Sequence, residues 1–196
     1  MEAGANSSIK CIASIPALFN RCIASGSTST WEGGIPRGLT LKPPLDLQCM
    51  ALALGVDIGA SFIRVGVIDR DGRVLTKERV PVPPEGGDEN TMADLITGSI
   101  RNKLPKEQVE ASIAVGIGSI GPLDLRSGNV IIAPNLKWRI KKFKVVEPIR
   151  RALGKQVILC NDAAAAAWGE HVFGDGRGVD NMVYITLSTG IGGRAS

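Results

Sequence analysis

The pattern of apolar and polar positions changes at Met50. Residues 1–49 carry many Ser and Thr with scattered Gly and Pro, and show no sustained helical or alternating period. Beyond them, short apolar runs alternate with clear punctuation. Leu52 to Asp57 reads as an apolar strand and Arg64 to Asp69 as a second, with Asp71-Gly72 turning the chain into a third at Val74 to Val80. Pro81, Pro83, Pro84, Gly86 and Gly87 mark a loop. From about Asn90 to Leu104, Met92, Leu95, Ile96, Ile100 and Leu104 recur at helical spacing, and Pro105 ends the run. Ser112 to Ile117 is a largely buried strand, followed by a Gly/Pro-rich connection. Pro148 suits the first turn of a short helix ending at Gly154. Val157 to Cys160 is a further strand, Ala163 to Val172 a helix, and Val183 to Leu187 a strand. Hairpin-connected strands followed by strands alternating with helices predict a mixed sheet of the α/β class.

Three readings of the prefix compete. It is sequence upstream of a true initiator at Met50, which the lack of pattern favours; a transit-like peptide, Ser-rich and acid-poor but with few basic residues; or a small added module, in which no helix-turn-helix pattern is visible. Residues 1–49 are therefore expected to be an unstructured extension of the folded protein. Glu2 and the lack of a long apolar centre argue against a secretory signal.

Composition narrows the class. The chain has 196 residues, 44% hydrophobic and 21% charged, as soluble globular proteins do. No apolar run approaches the roughly 20 residues a membrane helix needs, so no membrane partner is expected. The net charge of +4 is mild. The local run Lys137, Arg139, Lys141, Lys142 and Lys144 reads as a solvated face, so no nucleic-acid partner is expected either. Cys11, Cys22 and Cys49 lie in the prefix, Cys160 stands alone in the body, and no CxxC occurs. That pattern supports neither a zinc site nor a redox motif here, and fits a reduced, cytoplasmic protein.

Four segments carry candidate chemistry. In Gly55-Val56-Asp57-Ile58-Gly59-Ala60-Ser61 a carboxylate at a strand end meets small residues, a turn that lets phosphate oxygens reach backbone amides. Asp57 suits a magnesium ion held through water; the alternative is an ordinary Gly-containing hairpin turn. Leu187-Ser188-Thr189-Gly190-Ile191-Gly192-Gly193 offers three glycines and two hydroxyls to an anion, or is a plain tight turn. Asn161-Asp162 lies between a strand and an alanine-rich helix, where open α/β sheets bind ligands. There Asp162 can take the proton of an attacking hydroxyl while Asn161 hydrogen-bonds a neighbouring one, or the pair caps the helix. Gly118-Ser119-Ile120-Gly121-Pro122-Leu123-Asp124 precedes Asn135-Leu136-Lys137-Trp138. Gly116 to Gly121 spells GxGxxG, but Pro122 and then Ser127-Gly128 follow where a dinucleotide-binding helix would open. No Walker GxxxxGK[ST] occurs, so any ATP is handled without a P-loop.

These segments stand in the order and rough spacing of the ROK sugar kinases. Asp57-Ile58-Gly59 with its hairpin, GSIGPLD with a downstream Asn-Leu-x-Trp, NDAAAAAWGE and YITLSTGIGG together resemble that family from Met50 to Gly193. DIGAS and NDAAAAAWGEHVFG look most like its archaeal-type hexokinases and glucokinases. The resemblance implies an actin-like (ribonuclease H-like) ATPase fold, with a first lobe over 50–160 and the start of a second, truncated lobe over 161–196. It implies ATP-dependent phosphorylation of a hexose at the 6-hydroxyl, in carbohydrate metabolism such as glycolysis, with ATP and Mg2+ as cofactors. Asp162 would be the general base. Asp57, Gly59, Ala60 and Ser61 would form the first phosphate loop, and Thr189, Gly190, Ile191, Gly192 and Gly193 the second. Asn161 and Asn135 would contact sugar hydroxyls beside Asp162, and Ser119, Ile120 and Gly121 would line the sugar pocket. The family's sugar-contacting Glu-x-Gly-His, its structural zinc motif and its adenosine pocket would fall beyond Ser196, so a chain ending there is expected to be a poor catalyst. Homodimer formation by the full-length protein stays open. The usual first loop of the family reads Asp-Ile-Gly-Gly-Thr-Lys; Ala60, Ser61 and Phe62 replace its last three residues, and Phe62 removes a charge. The competing functions are a sugar-responsive regulator of the same family and another actin-fold ATPase. The first would want a winged helix that the prefix lacks, and the second a cysteine cluster that Cys160 alone does not supply.

Overall fold

The computed structural model describes residues 52–131, 138, 140–187 and 191–195. The prefix 1–49, Asn135, Thr189 and Gly190 lie outside the described residues.

Strands β1 (Leu52–Ile58), β2 (Phe62–Ile68) and β3 (Val74–Pro81) form an antiparallel meander. Helices α1 (Thr91–Lys103) and α2 (Lys106–Ala111) lead into β4 (Ser112–Ser119), which joins the sheet parallel to β1. Strands β5 (Leu123–Asp124), β6 (Asn129–Ile131) and β7 (Lys142–Lys144) make a separate small antiparallel sheet. Helix α3 (Val146–Leu153) precedes β8 (Gln156–Asn161), parallel to β4. Helix α4 (Asp162–Phe173) follows, then the hairpin β9 (Val183–Leu187) and β10 (Ile191–Ala195). The main sheet has the order β3-β2-β1-β4-β8.

Burial explains why the apolar runs became the middle of the sheet. Ala53 through Ile58 are all buried, as expected of a central strand covered on both faces. On β3, by contrast, half-buried and exposed residues alternate from Val74 to Arg79, the signature of an edge strand. Met92, Ile96 and Ile100 of α1 are fully buried and join Leu54, Val56, Ile58, Ile63, Val65 and Val67 in one core. Each such side chain stabilises the fold by about 1.5–3 kcal/mol relative to exposure. Ile149 of α3 belongs to the same core, and Gly154 closes that helix in the left-handed region as anticipated, its N–H donating to the Arg150 carbonyl at 2.8 Å.

Two elements escape the sequence pattern. Pro105 ends α1 and also opens α2, a six-residue helix none of whose residues is buried. The Gly/Pro-rich connection after β4 contains the small sheet, whose strands of two and three residues are too short to show a period. Helix α4 packs against β4 and β8 and also against β9 and β10, so it contacts elements on both sides of the lobe boundary expected at residue 161. Among the described residues no helix is long and apolar enough to cross a membrane.

At the far end of the β2–β3 hairpin, the Asp69 carboxylate accepts hydrogen bonds from the Asp71 and Arg73 amides, each at 2.9 Å. Gly72 completes the turn at φ +82°, and an added Cβ would stand 2.5 Å from Cγ of Phe173, at the end of α4. Gly72→Ala should therefore destabilise the protein by about 1–3 kcal/mol, combining the left-handed conformation with displacement of Phe173. A thermal melt of the variant that coincides with the parent's would show that Phe173 yields without cost.

Candidate active site

The three parallel strands β1, β4 and β8 end on the same edge, and their register aligns the candidate residues. Asp57 pairs with Gly118 and Gly118 with Cys160; one step on, Ile58 pairs with Ser119 and Ser119 with Asn161. Asp57 is thus two strand spacings from β8, about 10 Å at the backbone, with the exit of β4 between them. That is the edge at which open α/β sheets take ligands.

Asp57 is buried, and its Oδ2 accepts a hydrogen bond from Nη1 of Arg64 at 2.7 Å in an ion pair. The pair follows from register, since Arg64 on β2 lies directly opposite Asp57. Sequence reasoning passed over Arg64; the signal was a lone charge inside the apolar run Phe62-Ile63-Arg64-Val65-Gly66-Val67-Ile68. The turn after β1 is tight. Gly59 donates to the Phe62 carbonyl at 3.0 Å, and a Cβ at Gly59 would stand 3.0 Å from that same oxygen, so glycine suits the position. The Gly59 amide is used inside the turn. The Ala60 and Ser61 amides carry no acceptor among the described residues. Val82 N–H bonds the Ser61 carbonyl at 3.0 Å and ties the turn to the end of β3. The charge that Phe62 lacks returns from β3, where the Arg79 guanidinium stands 3.4 Å from the Phe62 ring centroid.

The exit of β4 is anchored by the Ile120 amide, which donates to the Ile58 carbonyl at 3.2 Å. Ser119 is fully buried and its Oγ donates to the Ile120 carbonyl at 3.0 Å, so its side chain shapes the loop from beneath. Gly121 faces β8: an added Cβ would stand 3.7 Å from Nδ2 of Asn161. The structure thereby brings Ile120, Gly121, Asn161 and Asp162 together on this edge.

Strand β8 runs one residue further than the apolar pattern predicts, and this decides the capping question. Asn161 is the N-cap of α4, its Oδ1 accepting from the Ala163 and Ala164 amides at 3.1 and 3.2 Å. Asp162 is the first helical residue, and its Oδ1 accepts from the Ala163 amide at 2.8 Å. A carboxylate there is favoured by the positive end of the helix dipole. The Asn161 Oδ1 is committed to capping, which leaves its Nδ2 as the group that can meet a ligand. Beneath them, Cys160 donates from Sγ to the Ile117 carbonyl, and burial, followed by the charge of Asp162, pushes its thiol up to about 12. Cys160 is a neutral structural thiol at physiological pH.

Ile191, Gly192 and Gly193 of the expected second phosphate loop lie in β10, where Gly192 pairs with Thr186 and Gly193 with Ile185. The described part of the glycine-rich motif is therefore strand, paired antiparallel with β9. His171 on α4 stacks on Trp168, with ring centroids 5.8 Å apart, a packing contact along the helix.

Residues 53–195 match the sequence profile of the ROK family. This chain belongs to the ROK family. It is 39% identical over 146 residues to a glucokinase of Streptomyces coelicolor, covering 74% of this chain and 43% of that protein. It is 40% identical over 145 residues to a glucokinase of Pyrobaculum calidifontis, covering 73% and 42%. The crystal structure of a ROK glucokinase from Streptomyces griseus in complex with glucose and AMPPNP superposes with a TM-score of 0.57 at 38% identity, covering 73% of this chain and 43% of that one. The chain spans about two fifths of the curated relatives it matches, and its sheet is that of an actin-like ATPase lobe.

Magnesium must be weighed against the residues present. Among the described residues, no group of three or more His, Cys, Asp or Glu could enclose a metal. One buried carboxylate beside a turn with open amides fits an ion that keeps several waters and takes its remaining ligands from phosphates.

Proposed function

We propose that the protein transfers the terminal phosphoryl group of ATP to the 6-hydroxyl of a hexose. The observation that carries the reading is that Asp57 and Asp162, the latter at the start of α4 directly after β8, stand at one sheet edge with the Ile120–Gly121 exit of β4 between their strands. In this reading the hexose lies over Gly121, with Nδ2 of Asn161 and the Asn135 side chain donating to its hydroxyls. Asp162 takes the proton of the attacking hydroxyl. The Ala60 and Ser61 amides, with Thr189 and Gly190, cradle the phosphates. Asp57, oriented by Arg64, would hold magnesium through water, and that ion would neutralise charge developing on the phosphate oxygens. Phosphoryl transfer asks the protein chiefly for positioning and charge compensation, which are the roles this reading gives to these residues.

The test is a coupled assay of the full-length protein with ATP, Mg2+ and a panel of hexoses, the product position being read by NMR. Formation of a 6-phosphate from glucose or several hexoses is expected. Absence of transfer to every hexose would sink the proposal.

A further inference from the structure

Arg79 and Lys77 have no part in the reaction as described, yet the register places them beside its phosphate turn. Arg79 on β3 pairs with Arg64 on β2, which pairs with Asp57 on β1. Residues paired across adjacent strands project to the same face, so the three form one row, with backbones about 4.8 Å apart from strand to strand. Phe62, two residues before Arg64, lies on that face, and the Arg79 guanidinium is stacked 3.4 Å from its ring centroid. Lys77 follows on the same face, opposite Gly66, which offers no side chain. Arg79 and Lys77 are both exposed. Among the described residues no carboxylate lies within ion-pair distance of Arg79, and the one carboxylate of the row, Asp57, is engaged by Arg64. At the edge where β1 turns into β2, three cations therefore face one anion. The ring under Arg79 holds its guanidinium near the turn before any ligand arrives, and a planar fork suits two phosphate oxygens at once.

We propose that Arg79, held on Phe62, binds the phosphate chain of the phosphoryl donor next to the Ala60–Ser61 turn, with Lys77 extending the cationic face. The chemistry recognised is a run of linked phosphates, as in a nucleoside triphosphate or an inorganic polyphosphate. The inference rests on the kinase reading only in taking that anion to be the donor.

The experiment uses the full-length protein and its Arg79→Gln, Arg79→Lys and Phe62→Leu variants. ATP and inorganic tripolyphosphate are titrated by calorimetry, alongside hexose phosphorylation kinetics and thermal melts. Arg79→Gln should weaken ATP binding and raise the ATP KM roughly tenfold, as for one lost hydrogen bond to a charged group. The hexose KM and the melting temperature should not move. Arg79→Lys should recover part of the loss, and Phe62→Leu should fall between, because it frees the guanidinium without removing it. A loss shared by tripolyphosphate assigns recognition to the phosphate chain alone, whereas a loss confined to ATP assigns it to the nucleotide-borne chain; both support the proposal. Binding of both ligands by Arg79→Gln at parental strength would overturn it, as would an affinity loss that merely tracks a lowered melting temperature. A parent that phosphorylates no hexose would remove the kinase reading, and calorimetry would still decide whether Arg79 binds phosphates.

Discussion

Asp162→Asn in the full-length protein should lower kcat by about 10²–10⁴-fold while leaving hexose and nucleotide binding near parental values. In barrier terms that is roughly 3–5 kcal/mol. The substitution separates chemistry from folding because capping belongs to the neighbouring residue: the Asn161 Oδ1 holds the Ala163 and Ala164 amides. An asparagine at 162 also keeps an acceptor for the Ala163 amide, now bonded at 2.8 Å. What it loses is the negative charge in the first turn, worth about 0.3–1 kcal/mol against the helix dipole. A slightly lower melting temperature with a collapse in turnover is the expected pair of results. Turnover within about threefold of the parent would show that Asp162 serves the helix and not the proton.

The converse variant, Asn161→Ala, separates the two roles from the other side. It removes the cap, at a cost of about 0.5–2 kcal/mol, together with the Nδ2 group facing Gly121. The sequence could not decide between these neighbours. Asn and Asp both cap helices well, and the choice depends on whether β8 stops at Cys160 or reaches Asn161. The apolar pattern ends at Cys160, whereas the ladder with β4 carries the strand on to Asn161.

The same distinction runs through the whole fold. Strands β1 and β4 were legible because a strand covered on both faces must be apolar nearly throughout, and α1 because its buried stripe repeats at helical spacing. The β5–β7 sheet was not, since pairing between strands of two and three residues is set by the surrounding chain and not by any period within them. Helix α2 was hidden because Pro105 reads as a stop, although its fixed φ serves equally well before a helix. In the site, the residues with distinctive chemistry announced themselves. The basic residues beside them did not: Arg64, which pairs with Asp57, and Arg79 gain meaning only when β1, β2 and β3 are laid in register, with Phe62, where β2 begins, under the Arg79 guanidinium.

Asp57→Asn is the second large effect expected, and it should appear in the magnesium dependence. Asparagine keeps the size of the side chain and an oxygen for Arg64, but removes the single buried carboxylate beside the Ala60–Ser61 turn. On the proposed kinase reading, loss of that charge compensation should lower kcat/KM for magnesium-ATP by about 10²-fold, part of the several kcal/mol a catalytic metal would supply. The Mg2+ concentration for half-maximal rate should rise with it, and the hexose KM should stay. The ion pair with Arg64 is partly buried, with side-chain exposures of 23% and 9%, so a folding cost of roughly 1–3 kcal/mol is expected as well. Arg64→Gln distinguishes an orienting role from a direct one. If Arg64 acts by holding Asp57, the double variant should be no worse in magnesium dependence than Asp57→Asn alone, because the group being oriented is already gone. Additive losses would give Arg64 a ligand of its own, and an unchanged magnesium titration in Asp57→Asn would remove Asp57 from the metal site.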